Sequence, residues 1–294
     1  MERILKFTAG AEHSGMSINA VLRQHFNMSS SIIKQLKSAG GITVNNEPHR
    51  VSYIMSCGDE LRLVLREGRS ELIEPVKIDF GIVFEDEDII VINKPSGIAT
   101  HPSHGHFTDT LANGLMYYFA QKNEEHVFRA VNRLDKDTSG LMCAAKNSYA
   151  HSRLCTELHN SFERRYTAIL EGQLEHPLTI DAPIARCEEG IIKRCVSEEG
   201  KRAVTHCTPL KIYNEYTLAE LSLETGRTHQ IRVHMSHAGF PLLGDWLYGH
   251  EDKALFPRTA LHSSHMEFTH PVTGTALKFD APLPDDMKLF LQKL

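Results

Sequence analysis

Apolar residues recur at helical spacing in two short runs near the start of the chain. Ile18, Val21, Leu22 and Phe26 fall on one face of a first helix, and Ile32, Ile33 and Leu36 on one face of a second. Ser17 precedes the first run, and residues 29–31, all serine, open the second. Each puts a hydroxyl where the free N–H groups of a helix start need an acceptor. Gly40 and Gly41 end the second helix. The period then shortens to two. Ile42, Thr43 and Val44 predict a strand, Asn45-Asn46 a hairpin turn, and residues 61–65 a further strand after Gly58-Asp59.

Residues 66–74 are charged and poor in bulky apolar groups, and Pro75 follows. They read as a linker, so a small domain at 1–74 and a larger one at 75–294 are expected. In the larger part, residues 82–84, 89–92, 141–145, 162–170 and 218–223 predict strands. Residues 111–119 and 148–158 have helical spacing, and another helix starts at Gln230. The expected class is α+β, a mixed α/β chain rich in strands.

Composition narrows the setting. The chain has 294 residues, 41% hydrophobic and 23% charged, which describes an ordinary globular protein. The first residues carry Glu2, Arg3 and Lys6, and no apolar run is long enough to span a bilayer. A cytoplasmic location, without membrane contact, is expected. The six cysteines include no Cys-x-x-Cys pair, so free thiols are expected rather than disulfides or zinc. Eighteen histidines include the group His101, His104 and His106, but Pro102 and Gly105 interrupt it. No metal site is expected. A net charge of −5 argues against bulk adsorption to nucleic acid. Clustered cations such as Lys34 with Lys37, and Arg164 with Arg165, are compatible with a local phosphate-tracking face and also with a mixed surface.

The chemistry concentrates at residues 132–146, Asn-Arg-Leu-Asp-Lys-Asp-Thr-Ser-Gly-Leu-Met-Cys-Ala-Ala-Lys. A polar turn feeds an apolar strand there, and Asp135 lies in the turn between Arg133 and Lys136. Neighbouring cations favour an ionised carboxylate, which can serve as nucleophile or base. Taken alone, such a turn is more often a solvated charge cluster. The string, however, resembles the catalytic motif of the RluA-type family of RNA pseudouridine synthases, His-Arg-Leu-Asp-x-x-Thr-Ser-Gly-Leu, with Asn132 in place of the usual His. Three further blocks resemble the same family. They are Asn93-Lys94-Pro95-Ser96-Gly97 followed by His101-Pro102, Tyr166 in a Lys-x-Tyr-like signature with Arg164 for Lys, and the run from Thr225 to His234 with a Gly-Arg-x-His-Gln-Ile-Arg-x-His pattern. A C-terminal block containing Gly244-Asp245, Tyr248-Gly249 and Leu261-His262 also fits and reads as core. In front, the helix-helix-strand order with Gly-x-Ile-x-Val-Asn and Gly-Asp resembles the S4 RNA-binding domain.

The resemblance implies a mainly antiparallel mixed sheet with flanking helices and an active cleft across it, preceded by the S4-like unit. It implies isomerisation of uridine to pseudouridine in structured RNA, with ribosomal RNA first and transfer RNA second as substrate. It implies Asp135 as the group that breaks the N-glycosidic bond and Arg227 as the cation paired with it. It implies that Tyr166 stacks on the target base, with its hydroxyl a candidate for the final proton transfer, and that Arg133 displaces the base. Ile231 and Arg164 join the RNA- and base-binding set, and Lys34, Lys37 and Arg50 are candidate phosphate contacts of the front domain. No cofactor is implied, and a monomer is expected. Two other classes stay open on sequence: an RNA-binding assembly protein that keeps the fold without catalysis, and a magnesium-dependent phosphotransferase built on Asp135 and Asp137.

Overall fold

Ser17 and Ser29 do cap the two helices. The Ala20 N–H donates to Ser17 Oγ at 3.2 Å, and the Ile32 N–H to Ser29 Oγ at 3.4 Å. The computed structural model describes residues 2–68, 73–103, 105–158, 161–188 and 191–294. The front unit runs β1 (Glu2–Thr8), α1 (Ile18–Gln24), α2 (Ser30–Ser38), β2 (Ile42–Val44), β3 (Glu47–Pro48) and β4 (Glu60–Arg66). Among the described residues its four strands pair antiparallel in the order β1-β4-β2-β3. Asn45 and Asn46 both take positive φ at the β2–β3 turn, as their short polar side chains allow. The apolar faces of α1 and α2 meet Leu61, Leu63 and Leu65 of β4 in one buried cluster. The linker expected at 66–74 falls partly on residues 69–72, which lie outside the described residues.

The rest of the chain continues β5 (Gly81–Glu85), β6 (Ile89–Lys94), α3 (Leu111–Gln121), β7 (Ser139–Ala145), α4 (Ser148–Glu157), β8 (Glu163–Glu171), β9 (Leu178–Asp181), β10 (Ile184–Arg186) and β11 (Arg194–Val196). It ends with β12 (Val204–Tyr213), β13 (Tyr216–Leu223), α5 (Gln230–His237), β14 (Leu261–Thr269), β15 (Ala276–Asp280) and α6 (Asp285–Gln292). Among the described residues, nine strands form a sheet ordered β5-β6-β7-β14-β8-β13-β12-β9, with β15 on β14. Only the β7–β14 pairing is parallel, so the sheet is mixed and mainly antiparallel, as expected. β10 and β11 form a separate hairpin.

The β7–β14 junction needs a glycine. Gly140 lies at φ +108 in register with Ser263, and a Cβ there would sit 2.2 Å from the Ser263 carbonyl oxygen. The main core brings Leu115 and Phe119 of α3, Met142, Tyr166, Ala168, Leu221 and Ile231 together on one side of the sheet. Among the described residues, no helix is long and apolar enough to cross a membrane.

Candidate active site

The turn bearing Asp135 is tied down carbonyl by carbonyl. Thr100 Oγ1 donates to Leu134 O at 2.8 Å, and the Thr138 N–H donates to Asp135 O at 3.2 Å. Lys136 O accepts from the Gly97 N–H at 2.9 Å and from Lys94 Nζ at 3.1 Å. Asp137 O accepts from Arg258 Nη1 at 3.0 Å. Lys94 also donates to Pro95 O and Ile98 O, at 2.9 and 2.7 Å. The buried Lys94 of the Asn-Lys-Pro-x-Gly string thus clamps two loops. Burial pushes the Lys94 ammonium down to about 7, against the pull of Asp137 and Asp135. Asn132, where the family usually carries His, accepts the Cys143 N–H at 2.8 Å and fills a backbone role behind the turn.

The carboxylate itself meets Arg232. Arg232 Nη1 lies 3.4 Å from Asp135 Oδ2, while its Nε and Nη2 bind Asp245 in a bidentate pair at 2.7 Å each. The side chains of Arg232 and Asp245 are 5% and 0% exposed. A buried guanidinium needs paired charge, and Asp245 supplies most of it, leaving Asp135 the looser partner at 22% exposed. Among the described residues no donor engages Asp135 Oδ1. Arg232 therefore orients the carboxylate through Oδ2 and leaves Oδ1 free to react.

His229 flanks it. This residue takes a left-handed conformation, φ 57, at the N-cap of α5, and its Nε2 lies 3.9 Å from Asp135 Oδ2. Its Nδ1 is 2.8 Å from the Tyr248 hydroxyl, which itself accepts the Arg194 N–H at 2.8 Å. Burial lowers the His229 pKa and Asp135 partly restores it.

A recess of about 60 Å³ lies beside this group, lined by Asp135, Leu134, Tyr166, Leu223, Ile231 and Leu261, among others. Tyr166 and Ile231 are 6% and 4% exposed. Burial raises the Tyr166 phenol, so it is neutral near pH 7 in the free protein. The recess joins a cleft of about 830 Å³ that shares Arg133, Leu134, Asp135, His229 and Arg232 with it. His101 and His106 line that cleft, while His104 lies outside the described residues.

Several expectations meet the geometry and two do not. Asp135, Tyr166, Ile231 and Arg133 converge, with Arg133 exposed at the lip. Arg227 also lines the recess, but it is exposed and its Nε donates to Arg202 O at 3.0 Å. The cation paired with Asp135 is Arg232, not Arg227. Arg164 is 7% exposed on β8, with its guanidinium near Gly226. That burial removes it from the surface where a phosphate would be met. Lys34 and Lys37 are exposed, three residues apart on α2, and Arg50 is exposed. Sequence reasoning missed Arg232, Asp245, His229 and Tyr248. All four lie inside the matched blocks, and the available signal was Arg232 in the apolar stretch of an otherwise buried helix.

The family model for RNA pseudouridylate synthase matches residues 88–237. The uncharacterized RNA pseudouridine synthase YlyB of Bacillus subtilis is 40% identical over 300 residues, covering 100% of this chain and 94% of that one. The ribosomal large subunit pseudouridine synthase D of Zymomonas mobilis is 44% identical over 239 residues, covering 75% of this chain and 74% of the relative. Among solved structures, human RNA pseudouridylate synthase domain containing 1 superposes with a TM-score of 0.58 at 28% identity, over 71% of this chain and 86% of that one. The chain belongs to the RNA pseudouridylate synthase family.

Proposed function

We propose that this chain isomerises uridine to pseudouridine in ribosomal RNA, and that Asp135 breaks the N-glycosidic bond. The observation that supports this best is the Asp245–Arg232–Asp135 array beside a recess lined by Tyr166, Ile231 and Leu261. It orients a carboxylate, with one oxygen free, next to a space lined by a flat ring. In this reading the base leaves the RNA stack, Arg133 helps displace it, and Tyr166 and Ile231 receive it. Asp135 then attacks C1′ or removes the 2′ proton. The uracil turns and rejoins the sugar through C5, and loss of the C5 proton completes the exchange. The reaction needs no cofactor or metal.

The ribosomal substrate follows the name of the Zymomonas relative, a ribosomal large subunit pseudouridine synthase. The front unit is read as an S4-like anchor whose Lys34, Lys37 and Arg50 meet phosphates without reading sequence. The enzyme is read as a cytoplasmic monomer. The test is release of tritium from RNA carrying it at uridine C5, in EDTA, with ribosomal and transfer RNA supplied separately. Wild type is expected to release it from ribosomal RNA, and Asp135→Asn to lose at least about 10³-fold while still binding. Release from transfer RNA alone would overturn the ribosomal assignment. An active Asp135→Asn would overturn the residue assignment. Binding without release from any RNA would favour a noncatalytic RNA-binding protein.

A further inference from the structure

Trp246 is the single tryptophan of the chain, and it is 47% exposed. It lines the same 830 Å³ cleft as Asp135. Ile191 and Ile192, which lie between β10 and β11, line this cleft too and are 41% and 58% exposed. Isolated exposed apolar residues are common and need no explanation. Here three of them gather along one cleft, the one that holds the reactive carboxylate. The other lining groups include the cations Arg133, Lys136, Arg186 and Arg194. Flat apolar surface interleaved with cations suits a nucleobase joined to phosphates. A lipid tail or an apolar protein segment would leave those cations without partners.

The indole is also carried on a fixed turn. Asp245 Oδ1 accepts the N–H groups of Leu247 and Tyr248, at 3.0 and 3.2 Å, and so closes the turn around Trp246. The same Asp245 is locked by Arg232, which reaches Asp135. One ion-pair array therefore sets both the catalytic carboxylate and the backbone that bears Trp246.

We propose that Trp246 is a stacking platform for an unpaired base next to the target uridine, so that the enzyme selects uridines in loops or single strands over those in continuous duplex. This rests on the reading of the Asp135 cleft as the uridine site. Stacking on an aromatic side chain is sequence-tolerant, because every base has a π-face. The residue thus contributes affinity and a structural preference, while the chemistry stays with Asp135.

A lone tryptophan makes its own emission the probe. The protein carrying Asp135→Asn is titrated with a 12-nucleotide oligouridylate and with a fully paired RNA duplex of the same length. Quenching is expected with the single strand and not with the duplex. In the active enzyme, Trp246→Ala is expected to raise the KM for single-stranded substrate about 5- to 150-fold. Single-turnover release of tritium at saturating RNA should change by less than about threefold, and Trp246→Phe should recover most of the KM. The proposal is overturned if the single strand binds without quenching, or if Trp246→Ala leaves KM unchanged while tritium release continues. In those cases the uridine reading of the cleft survives. No tritium release from wild type on any RNA would instead remove that reading, and this proposal with it.

Discussion

Arg232 carries a charge that the fold has taken out of water, and that fact decides what its replacement does. Asp245 is fully buried and depends on Arg232 for its neutralisation. Arg232→Ala leaves an uncompensated buried carboxylate and is expected to cost about 3–5 kcal/mol in denaturant unfolding. Arg232→Lys keeps a charge but loses the planar fork that holds two carboxylates at once. It is expected to fold and to lose about 10²-fold in tritium release through misplacement of Asp135. Arg227→Ala, at an exposed site, is expected to stay within about 0.5 kcal/mol of wild type. Equal stability losses for Arg227→Ala and Arg232→Ala would refute the pairing described above. The comparison also shows what was legible in the sequence. Asp135, Tyr166 and Arg133 stood out because each sits in a short string that resembles a family motif, whereas the turn around Asp135 alone reads as a solvated charge cluster. The choice between two arginines five residues apart was not, since the partner of one, Asp245, lies in a block that reads as core. Arg164 failed for the opposite reason: a cation was taken for surface, whereas β8 buries it.

At the scale of elements, the parallel seam between β7 and β14 joins the strand that follows the catalytic turn to the centre of the sheet. Gly140 lets the strands approach, and beside it Ser139 Oγ lies 2.9 Å from His262 Nδ1. His262 is 1% exposed, and burial pushes its pKa from the ordinary 6.5 down to about 4. The folded protein therefore holds His262 neutral at pH values where the unfolded chain would protonate it. The associated stability is fully present above about pH 6.5, declines as the pH falls, and is gone below about 4, a loss of up to ~3 kcal/mol. His262→Asn, which keeps a hydrogen-bonding group toward Ser139 without a titrating ring, should flatten the fall in unfolding free energy between pH 6.5 and 4.5. A variant with the same pH slope as wild type would place the acid sensitivity elsewhere. The seam also explains which elements were readable. Helices α1 to α5 and strands β2, β4 to β8 and β13 carry clear periods, whereas β14 does not, because His262, Ser263 and His265 are buried beside its apolar residues. β1 does not, because only Leu5 of its seven residues is buried. The β10–β11 hairpin escaped for a related reason: its strands are short and only Ile184 of their residues is buried.

For the molecule as a whole, the relation between the front unit and the catalytic sheet rests on a few polar contacts around α4. Arg3 of β1 binds Asp88 through Nε and Nη2 at 2.7 and 2.8 Å, and its Nη1 lies 2.7 Å from Glu87. The Asp88 side chain is 4% exposed and also accepts Asn147 Nδ2, from the residue that caps α4. Glu67 binds Arg129 at 2.6 Å and accepts the Ser148 N–H at 2.7 Å. Tyr149, on α4, packs into the core of the front unit and donates its hydroxyl to Phe26 O at 3.0 Å. These contacts tie the small unit to the catalytic part. Arg3→Ala removes the only guanidinium on Asp88 among the described residues and leaves Asn147 as its remaining side-chain donor. With Asp88 still partly satisfied, the expected cost is about 2 kcal/mol, in the range of hydrogen bonds to a charged group. The lone Trp246 reports on the catalytic part, and far-ultraviolet circular dichroism reports on both. In wild type the two melting curves are expected to coincide, because both parts unfold together. In Arg3→Ala the dichroism should begin to fall at lower temperature than the tryptophan signal, as the front unit loses its clamp. Curves that separate already in wild type, or that stay together and unshifted in the variant, would mean that Arg3 does not couple the two parts.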